Sequence, residues 1–266
     1  MGDRAGKFNG VRMNRRDFLL CFSVLLLSAC AQAPVTGRQQ LILVSEQQMD
    51  RAGAQAYRQV ISKEGVSQNQ ELQRRVETVG SRIAGVSGIA DAKWEFTVIN
   101  DQTPNAFALP GGKVAVNVGL FKMVQNDDQL AAVLGHEIAH VAARHAAERV
   151  SQQMIEQGGL QVLGAATQSQ AVVQLATAAA MVGITLPYSR TQEAEADEIG
   201  LMYMARAGYD PRQAIALWQN MERAAGEGPI EFLSTHPSPG SRIERLQALM
   251  PKALTEYRSA GGGTGR

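Results

Sequence analysis

The sequence predicts an α+β fold that is mostly helical, with a small antiparallel sheet beside one central helix. Most of the chain repeats apolar residues at the spacing of helices. Two segments alternate as strands do, WEFTVIN at 94–100 and KVAVNVGLF at 113–121, and the turn-rich segment PNAFALPGG lies between them. The chain has 266 residues, 45% of them hydrophobic, which is enough to bury one sizeable core.

The helices are predicted in order along the chain from periodicity and from their start and stop residues. They cover 45–63, 68–84, 127–150, 190–206, a segment that starts at Pro211, and 240–250. Asp127 and Asp128 lie at the positive end of the third helix, where its dipole favours them. Pro229 to Pro239 is predicted to be a loop, and the terminal SAGGGTGR a flexible tail.

The N-terminal residues resemble a targeting segment. A basic region with Arg15 and Arg16 precedes an apolar run from Phe18 to Ala29, whose twelve residues are too short to cross a ~30 Å hydrocarbon core. The run ends in LSAC, which resembles a bacterial lipobox and predicts lipidation of Cys30; the alternative is an ordinary secretory signal. Export through the general or the twin-arginine route stays open.

These features divide the chain into a signal peptide (1–29), a connector (30–44), one folded domain (45–252) and a flexible tail (253–266). Removal of the signal peptide would leave Cys30 as the single cysteine, so no disulfide is expected. The net charge of +1 gives no electrostatic case for nucleic acid. The residue after Cys30 is Ala31 and not the aspartate associated with inner-membrane retention. We therefore expect a periplasmic protein anchored in the outer membrane through its lipid.

The stretch 157–189 contains no charged residue, and its length would permit a membrane span. It is dominated by alanine rather than leucine and includes glutamines such as Gln161, Gln168, Gln170 and Gln174, and several glycines. We therefore expect a buried or surface-lying pair of helices there.

The central helix carries the motif HEIAH at 136–140. His136 and His140 are four residues apart and project from one face of a helix, so their imidazoles can bind one metal ion. Glu137 lies on a neighbouring part of that surface and is placed to act as general base toward an attacking water. His145 is rotated by roughly 140° from His140, and we predict that it is at the surface or in a second layer around the site. The sequence therefore predicts a zinc site that needs a ligand from elsewhere.

The segment SRTQEAEADEIG at 189–200 offers that ligand. Glu193 and Asp197 are four residues apart and share a helix face. A His₂Glu set is known in catalytic zinc sites, so we predict Glu193 as the third ligand. Asp197 would accept the distal N–H of a histidine ligand behind it. The alternative is a solvated, charged helix face.

HEIAH, SRTQEAEAD, the upstream NAFALPGG and the downstream STHPSP occur in the order seen in the CAAX prenyl-protease family. The resemblance covers roughly residues 35–250 and is closest to soluble, exported bacterial members and to the related mitochondrial quality-control protease. It implies a zinc metalloendopeptidase of the gluzincin type, with His136, His140 and Glu193 as ligands and Glu137 as base. Integral-membrane relatives have strong spanning helices where this chain has the weak 157–189 stretch, which we expect to cover the cleft.

The resemblance also implies where the substrate cleft lies. The strand 113–121 is expected to lie beside it and to pair with an extended substrate, with Asn105, Ala106 and Gly111 shaping the edge. His236 has three open roles: to stabilise an oxyanion, to occupy the open zinc position at rest, or to bond within a loop.

The leading hypothesis is a lipid-anchored zinc metalloendopeptidase that acts on misfolded or misassembled cell-envelope proteins. Its zinc centre follows from motif spacing, whereas the quality-control role follows from resemblance alone. The rival is a metal-stabilised, chaperone-like or binding lipoprotein with little proteolytic activity. An intact Glu137 argues against the rival, because a structural metal site needs no base.

Overall fold

A computed structural model describes residues 30–158, 170–185, 187–225, 231–236 and 239–262. Its helices are α1 (Glu46–Glu64), α2 (Gln70–Val86), α3 (Asp127–Ala142), α4 (His145–Gly158), α5 (Gln170–Thr185), α6 (Arg190–Arg206), α7 (Arg212–Ala225), α8 (Glu231–Thr235) and α9 (Pro239–Ser259). Its strands are β1 (Cys30–Gln32), β2 (Gln39–Leu41), β3 (Glu95–Ile99), β4 (Ala106–Leu109) and β5 (Lys113–Asn117), and a 3-10 turn (Val118–Lys122) follows β5. The mostly helical α+β fold with a small sheet is confirmed. The signal peptide at 1–29 lies outside the described residues.

Two helices begin with the same local signal. Ser45 before α1 and Ser189 before α6 each form a capping box with the glutamine three residues later, Gln48 and Gln192. In each box the serine hydroxyl accepts the glutamine's backbone N–H, and the glutamine side chain accepts the serine's N–H. These contacts fix where α6 starts and therefore where Glu193 lies in its first turn.

The main sheet has the order β3-β5-β4. β4 and β5 are antiparallel with Ala106 opposite Val116, whereas β3 and β5 are parallel with Glu95 opposite Lys113. The prediction of PNAFALPGG as loop and turn was wrong, because it contains β4. This strand is only four residues long and mostly buried, so it lacks the alternation that marks a half-exposed strand. The second predicted strand also ends early, at Asn117.

The predicted single helix over 127–150 is interrupted. α3 ends at Ala142, Arg144 takes a positive φ of 53°, and α4 begins at His145. The carbonyl of Ala143, freed by the break, accepts a hydrogen bond from Gln40 Nε2 at 2.7 Å. The sequence AARHAAER contains no glycine or proline to signal the break. It is stabilised by a contact from a distant part of the chain.

The segment 30–44 is more structured than the predicted connector. β1 and β2 form an antiparallel hairpin, and Ala33, Ile42 and Val44 are buried. Ile42 and Val44 belong to a hydrophobic cluster with residues of α1, α4 and α5. The hairpin is therefore packed into the folded unit.

The C-terminal helix extends past its predicted end at Met250. Helix α9 continues through Pro251 to Ser259, so residues 253–259 are helical rather than part of a flexible tail. Ala253 is fully buried, and Arg206 of α6 forms an ion pair with Glu256 at 2.9 Å. These contacts offset the cost of proline in a helix. Within the predicted loop 229–239, residues 231–235 form α8.

The described part of the uncharged stretch contains helix α5. It packs along α1, and Val172 and Ala176 are buried. None of the helices in the described ranges is long and apolar enough to cross a membrane. Residues 159–169 of this stretch lie outside the described residues.

Two glycines bring α3 and α6 together. A Cβ added to Gly200 would lie 2.7 Å from the backbone nitrogen of His136, and one added to Gly135 would lie 2.8 Å from the Gly200 carbonyl oxygen. The backbones of the two helices therefore touch where they cross. This contact places the HEIAH face of α3 against the first turns of α6.

We expect Gly200→Ala to lower the free energy of unfolding by about 1–3 kcal/mol, because its methyl group would force the two backbones apart. Chemical denaturation measures this change. The matched control is Gly85→Ala in α2, where nothing lies within 4 Å of an added Cβ. The control should be neutral or stabilise by up to about 1 kcal/mol, from helix propensity. Equal effects of the two substitutions would show that the crossing tolerates a side chain.

Candidate metal centre

Four buried side chains converge beside the α3–α6 crossing. His136 and His140 come from α3, Glu193 from α6, and His236 from the residue after α8. Nε2 of His136 lies 3.1 Å from Nε2 of His140 and 3.2 Å from Nδ1 of His236. Glu193 Oε2 lies 3.4 Å from His136 Nε2, and Glu193 Oε1 lies 3.6 Å from His140 Nε2. The structure therefore brings together the three predicted ligands and adds His236.

These separations suit one metal ion. Ligand atoms ~2.0–2.1 Å from a tetrahedral zinc ion lie ~3.3–3.4 Å from one another, and the observed separations bracket that value. The set of imidazole nitrogens and one carboxylate is also the donor chemistry that transition metals bind. Charge points the same way: burial opposes protonation of His136, but Asp197 and Glu193 outweigh it and raise its pKa to about 9. Burial and the charge of His136 instead lower the pKa of His140, so the preference for positive charge lies at His136, beside the two carboxylates.

Asp197 lies behind His136, as predicted from the spacing. Its Oδ1 is 3.1 Å from His136 Nδ1, the ring nitrogen that faces away from the cluster. Burial disfavours the Asp197 carboxylate, but the charges of Arg242 and His136 outweigh burial and lower its pKa. Ionised Asp197 orients the ring of His136 so that Nε2 points at the other ligands.

Arg242 is a site residue that the sequence analysis missed. Its side chain is fully buried; it donates from Nε to Asp197 at 2.8 Å and from Nη2 to Glu193 at 2.5 Å. Its guanidinium lies 4.0 Å from the ring centroid of Trp218. A signal was available: Arg242 falls on the same stripe of α9 as the apolar residues Leu246, Leu249 and Ala253. A charge on an apolar stripe indicates a buried partner.

Glu137 faces the cluster from the neighbouring position on α3. Its Oε2 accepts the backbone N–H of Ala108 in β4 at 3.1 Å, which fixes the carboxylate. Its Oε1 is buried without a hydrogen bond to any described residue and lies 3.4 Å from His236 Nε2. Burial raises the pKa of Glu137 above its ordinary value. A carboxylate with one free oxygen and a raised pKa is suited to accept a proton.

His145 is not at the surface. It is fully buried, with Nδ1 2.8 Å from His140 Nδ1 and Nε2 3.0 Å from Glu195 Oε2. The expectation that it points away from the pair assumed a continuous helix, and the break at Arg144 returns the ring to His140. Of the two predicted alternatives, the surface position is wrong and the second-layer position is observed.

Tyr188 closes the other side of His140. Its ring stacks on the imidazole with a centroid separation of 4.1 Å, and the guanidinium of Arg149 lies 4.1 Å from the centre of the tyrosine ring. Burial raises the pKa of Tyr188 to about 12, so the hydroxyl stays protonated. The ring therefore shields the ligand from solvent as a neutral group.

The predicted cleft residues surround the β4 strand. Ala106 lies in β4, the buried Asn105 precedes it and accepts the N–H of Ala106 through Oδ1 at 2.9 Å, and Gly111 forms the turn to β5 with a φ of 77°. The predicted pairing of substrate with the strand 113–121 is corrected, because β5 is the central strand and is bonded on both sides. The edge that faces Glu137 belongs to β4.

Comparison with known proteins agrees with this site. A family model described as peptidase family M48 matches residues 69–250. A mitochondrial metalloendopeptidase OMA1 from Schizosaccharomyces pombe is 40% identical over 83% of this chain and 66% of its own length. The same-named protein of Saccharomyces cerevisiae is 35% identical over 85% of this chain and 70% of its own. A putative beta-barrel assembly-enhancing protease from Vibrio cholerae is 33% identical over 70% of this chain and 41% of its own.

The fold, the HExxH helix and the matched relatives define the class of this protein as a metalloprotease. The chain belongs to peptidase family M48. It spans about two thirds of the length of the two fungal relatives and 41% of the Vibrio protein. The resemblance drawn from the four motifs is confirmed at the level of this family.

Proposed function

We propose that this protein is a zinc-dependent metalloendopeptidase that hydrolyses peptide bonds of misfolded or misassembled cell-envelope proteins. The observation that carries the proposal is the convergence of His136, His140 and Glu193 beside the free oxygen of Glu137. Zinc is the proposed metal because His₂Glu sets serve as catalytic zinc shells. The quality-control role is supported by two bacterial relatives, from Vibrio cholerae and Yersinia pestis, that are named as beta-barrel assembly-enhancing proteases, the first of them as a putative one.

The proposed reaction uses the residues around the metal. When bound, the metal supplies Lewis acidity that polarises a carbonyl and acidifies water. Glu137 takes the proton of the attacking water at Oε1 and returns it to the leaving amine. Its other oxygen stays bonded to the Ala108 N–H, so the base is held against the edge of β4. A substrate strand that pairs with this edge would present its carbonyl carbon near Glu137.

We propose that His236 occupies the open position of the metal site in the resting enzyme. Its Nδ1 lies 3.1 Å from both oxygens of Glu193 and 3.2 Å from His136, inside the candidate ligand set. This arrangement favours a role as fourth ligand over a role in oxyanion stabilisation or in loop bonding alone. In that role His236 would occupy the position that a substrate carbonyl needs, so its side chain would have to move before substrate binds.

We propose that α5 is a lid over the cleft. Ala180 and Ile184 of α5 lie with Ala106, Glu137 and His236 around one small cavity. Ala180 also belongs to one hydrophobic cluster with Phe107 and Leu109 of β4, the strand on which substrate would lie. The candidate ligands and Glu137 are at most 4% exposed. Access of a polypeptide therefore requires α5 to move.

We expect Ala180→Glu to raise the basal rate of casein cleavage on the order of tenfold. A buried charge in the α5–β4 contact destabilises the closed state, and about 1.4 kcal/mol corresponds to tenfold in its population. Ala178→Glu is the matched control, because Ala178 lies on the exposed face of the same helix. A rate that is unchanged or lower in Ala180→Glu, with wild-type behaviour of the control, would contradict the lid.

The proposed location is the periplasmic face of the bacterial outer membrane, with the chain anchored by lipid on Cys30 after removal of residues 1–29. The folded enzyme would then include the N-terminal hairpin and extend through the end of α9 at Ser259. The support is the LSAC sequence, the basic and apolar segments before it, and Ala31 after it. Metabolic labelling with an alkyne fatty acid should label the wild type and not Cys30→Ser.

Removal of the metal tests the proposed chemistry. Treatment with a zinc chelator should abolish casein cleavage, and one equivalent of zinc per chain should restore it. Bound metal is measured by elemental analysis before and after treatment. Cleavage that persists in fully metal-free protein would overturn the proposal. Tight zinc binding without cleavage, also in the Ala180→Glu variant, would favour the chaperone-like rival.

A further inference from the structure

A continuous chain of buried polar contacts runs from His140 to the N-terminal hairpin. His140 Nδ1 lies 2.8 Å from His145 Nδ1, and His145 Nε2 lies 3.0 Å from Glu195 Oε2. Arg38, in the loop before β2, then donates to Glu195 Oε2 from Nε at 2.8 Å. Three contacts therefore connect a candidate metal ligand to a residue about one hundred positions earlier in the sequence.

The direction of the hydrogens along this chain follows from the charge at its end. Glu195 accepts hydrogen bonds from Arg38 and from the hydroxyl of Thr36. A guanidinium beside one oxygen and a hydroxyl donor at the other stabilise Glu195 as the ionised carboxylate. A carboxylate only accepts, so His145 must carry its hydrogen on Nε2.

That hydrogen leaves the Nδ1 of neutral His145 as an acceptor. The Nδ1 of His140 must then be the donor, which leaves Nε2 of His140 without a hydrogen. Nε2 is the atom that faces His136 and Glu193. The chain thus selects the tautomer of His140 that can bind a metal.

Further hydrogen bonds fix the β1–β2 hairpin to α4 and α6. Arg38 makes two further bonds, from Nη1 and Nη2 to the two oxygens of Glu148 in α4, at 2.7 and 2.8 Å. Gln192 of α6 donates to the same carboxylate at 2.7 Å, and Gln40 caps the end of α3 through the Ala143 carbonyl. One guanidinium therefore joins α4 and α6 on the side of His145 that faces away from the metal site.

We infer that the β1–β2 hairpin supports the metal centre. Arg38 is a positioning residue that acts on His140 through Glu195 and His145. The inference rests on the proposed metal function of His140. It reaches beyond the residues 69–250 that the family model matches. Similar supporting contacts typically change metal affinity 10–100-fold when they are removed.

The test is the zinc dissociation constant, measured by competition with a chelator of known affinity. Arg38→Ala should bind zinc about 10–100-fold more weakly than wild type, and Arg38→Lys should recover part of the loss. Arg206→Ala is the matched control. Arg206 bonds Glu256 from Nε and Nη2 at 3.1 and 2.9 Å, on the same helix as Glu195 but at the surface. The control should bind zinc within about twofold of wild type.

A double-mutant cycle separates positioning from general loosening of the fold. His145→Phe keeps a ring in the buried position and removes the nitrogen that accepts from His140. In that background Arg38→Ala should change zinc affinity by less than about twofold, because its effect passes through His145. If Arg38→Ala does not fold, as judged by circular dichroism, Arg38→Lys takes its place in the cycle.

Two results would overturn the inference alone: wild-type zinc affinity in a folded Arg38→Ala, or an equal effect of Arg38→Ala in both backgrounds. A wild-type protein that binds no zinc would overturn the proposed function, and this inference with it.

Discussion

Glu137→Gln is expected to lower the rate of casein cleavage about 10²–10⁴-fold while the zinc content stays at one ion per chain. Glutamine has the same shape and can accept the Ala108 N–H, so the position of the side chain is retained. It cannot take a proton from water, because the group that replaces the free carboxylate oxygen is an amide –NH₂, which is not a base. None of the four candidate ligands is changed. The measurements are initial rates on a fluorescent casein and elemental analysis of bound zinc.

The control for this substitution is Glu198→Gln, which makes the same chemical change on the outer face of α6. Glu198 pairs with Lys252 at the surface, 3.1 Å apart, and has no contact with the candidate ligands. The rate of casein cleavage by Glu198→Gln should equal that of wild type. Full activity in Glu137→Gln would show that another group is the base.

Arg242→Met is expected to reduce the free energy of unfolding by about 3–5 kcal/mol in the metal-free protein. Methionine retains the apolar stem against Trp218 but removes the charge that Asp197 and Glu193 share. Two buried carboxylates are then left without their main cation. A bound zinc ion supplies positive charge beside Glu193, so the deficit should be smaller with zinc present. Urea denaturation with and without zinc measures both values.

The pH dependence of this deficit follows from the depressed pKa of Asp197. The charges of Arg242 and His136 outweigh burial and lower the pKa of Asp197 in the folded state, so its contribution to stability is present above the ordinary value of 3.8 and is lost at lower pH. Without Arg242 this contribution shrinks. The difference between variant and wild type should therefore be largest near pH 7 and decrease as the pH falls below about 4.

Arg245→Met is the matched control for Arg242→Met. Arg245 lies one turn away on α9, reaches Asp197 only at 3.4 Å, and is 36% exposed at its side chain. Solvent screens such a contact, so the loss should be below about 1 kcal/mol. A loss in Arg242→Met as small as in this control would show that the buried charges are compensated by other groups.

The amino-acid sequence by itself predicted His136, His140 and Glu193 as ligands, because helical spacing is a local property. It left the role of His236 open and missed Arg242. His136 and His140 share a face four residues apart, and Glu193 and Asp197 do the same on a second helix. Four motifs in order then predicted the family, which the match to peptidase family M48 confirmed. The sequence also predicted a buried or surface-lying pair of helices in the uncharged stretch, and its described residues contain one helix, α5, with Val172 and Ala176 buried.

Only the tertiary structure decided which distant residues support these ligands. The break at Arg144 depends on Gln40, about one hundred residues earlier, so no local pattern could place His145 beside His140. The short buried strand β4 has no alternation, and its role as the edge depends on the order of the sheet. Arg38 occupies a loop position that locally resembles the surface. Arg242 lies on the apolar stripe of α9, which indicates burial but not which residues pair with it. Their partners are carboxylates on α4 and α6, and a buried charge is stable only when the complete fold brings those partners within hydrogen-bonding distance.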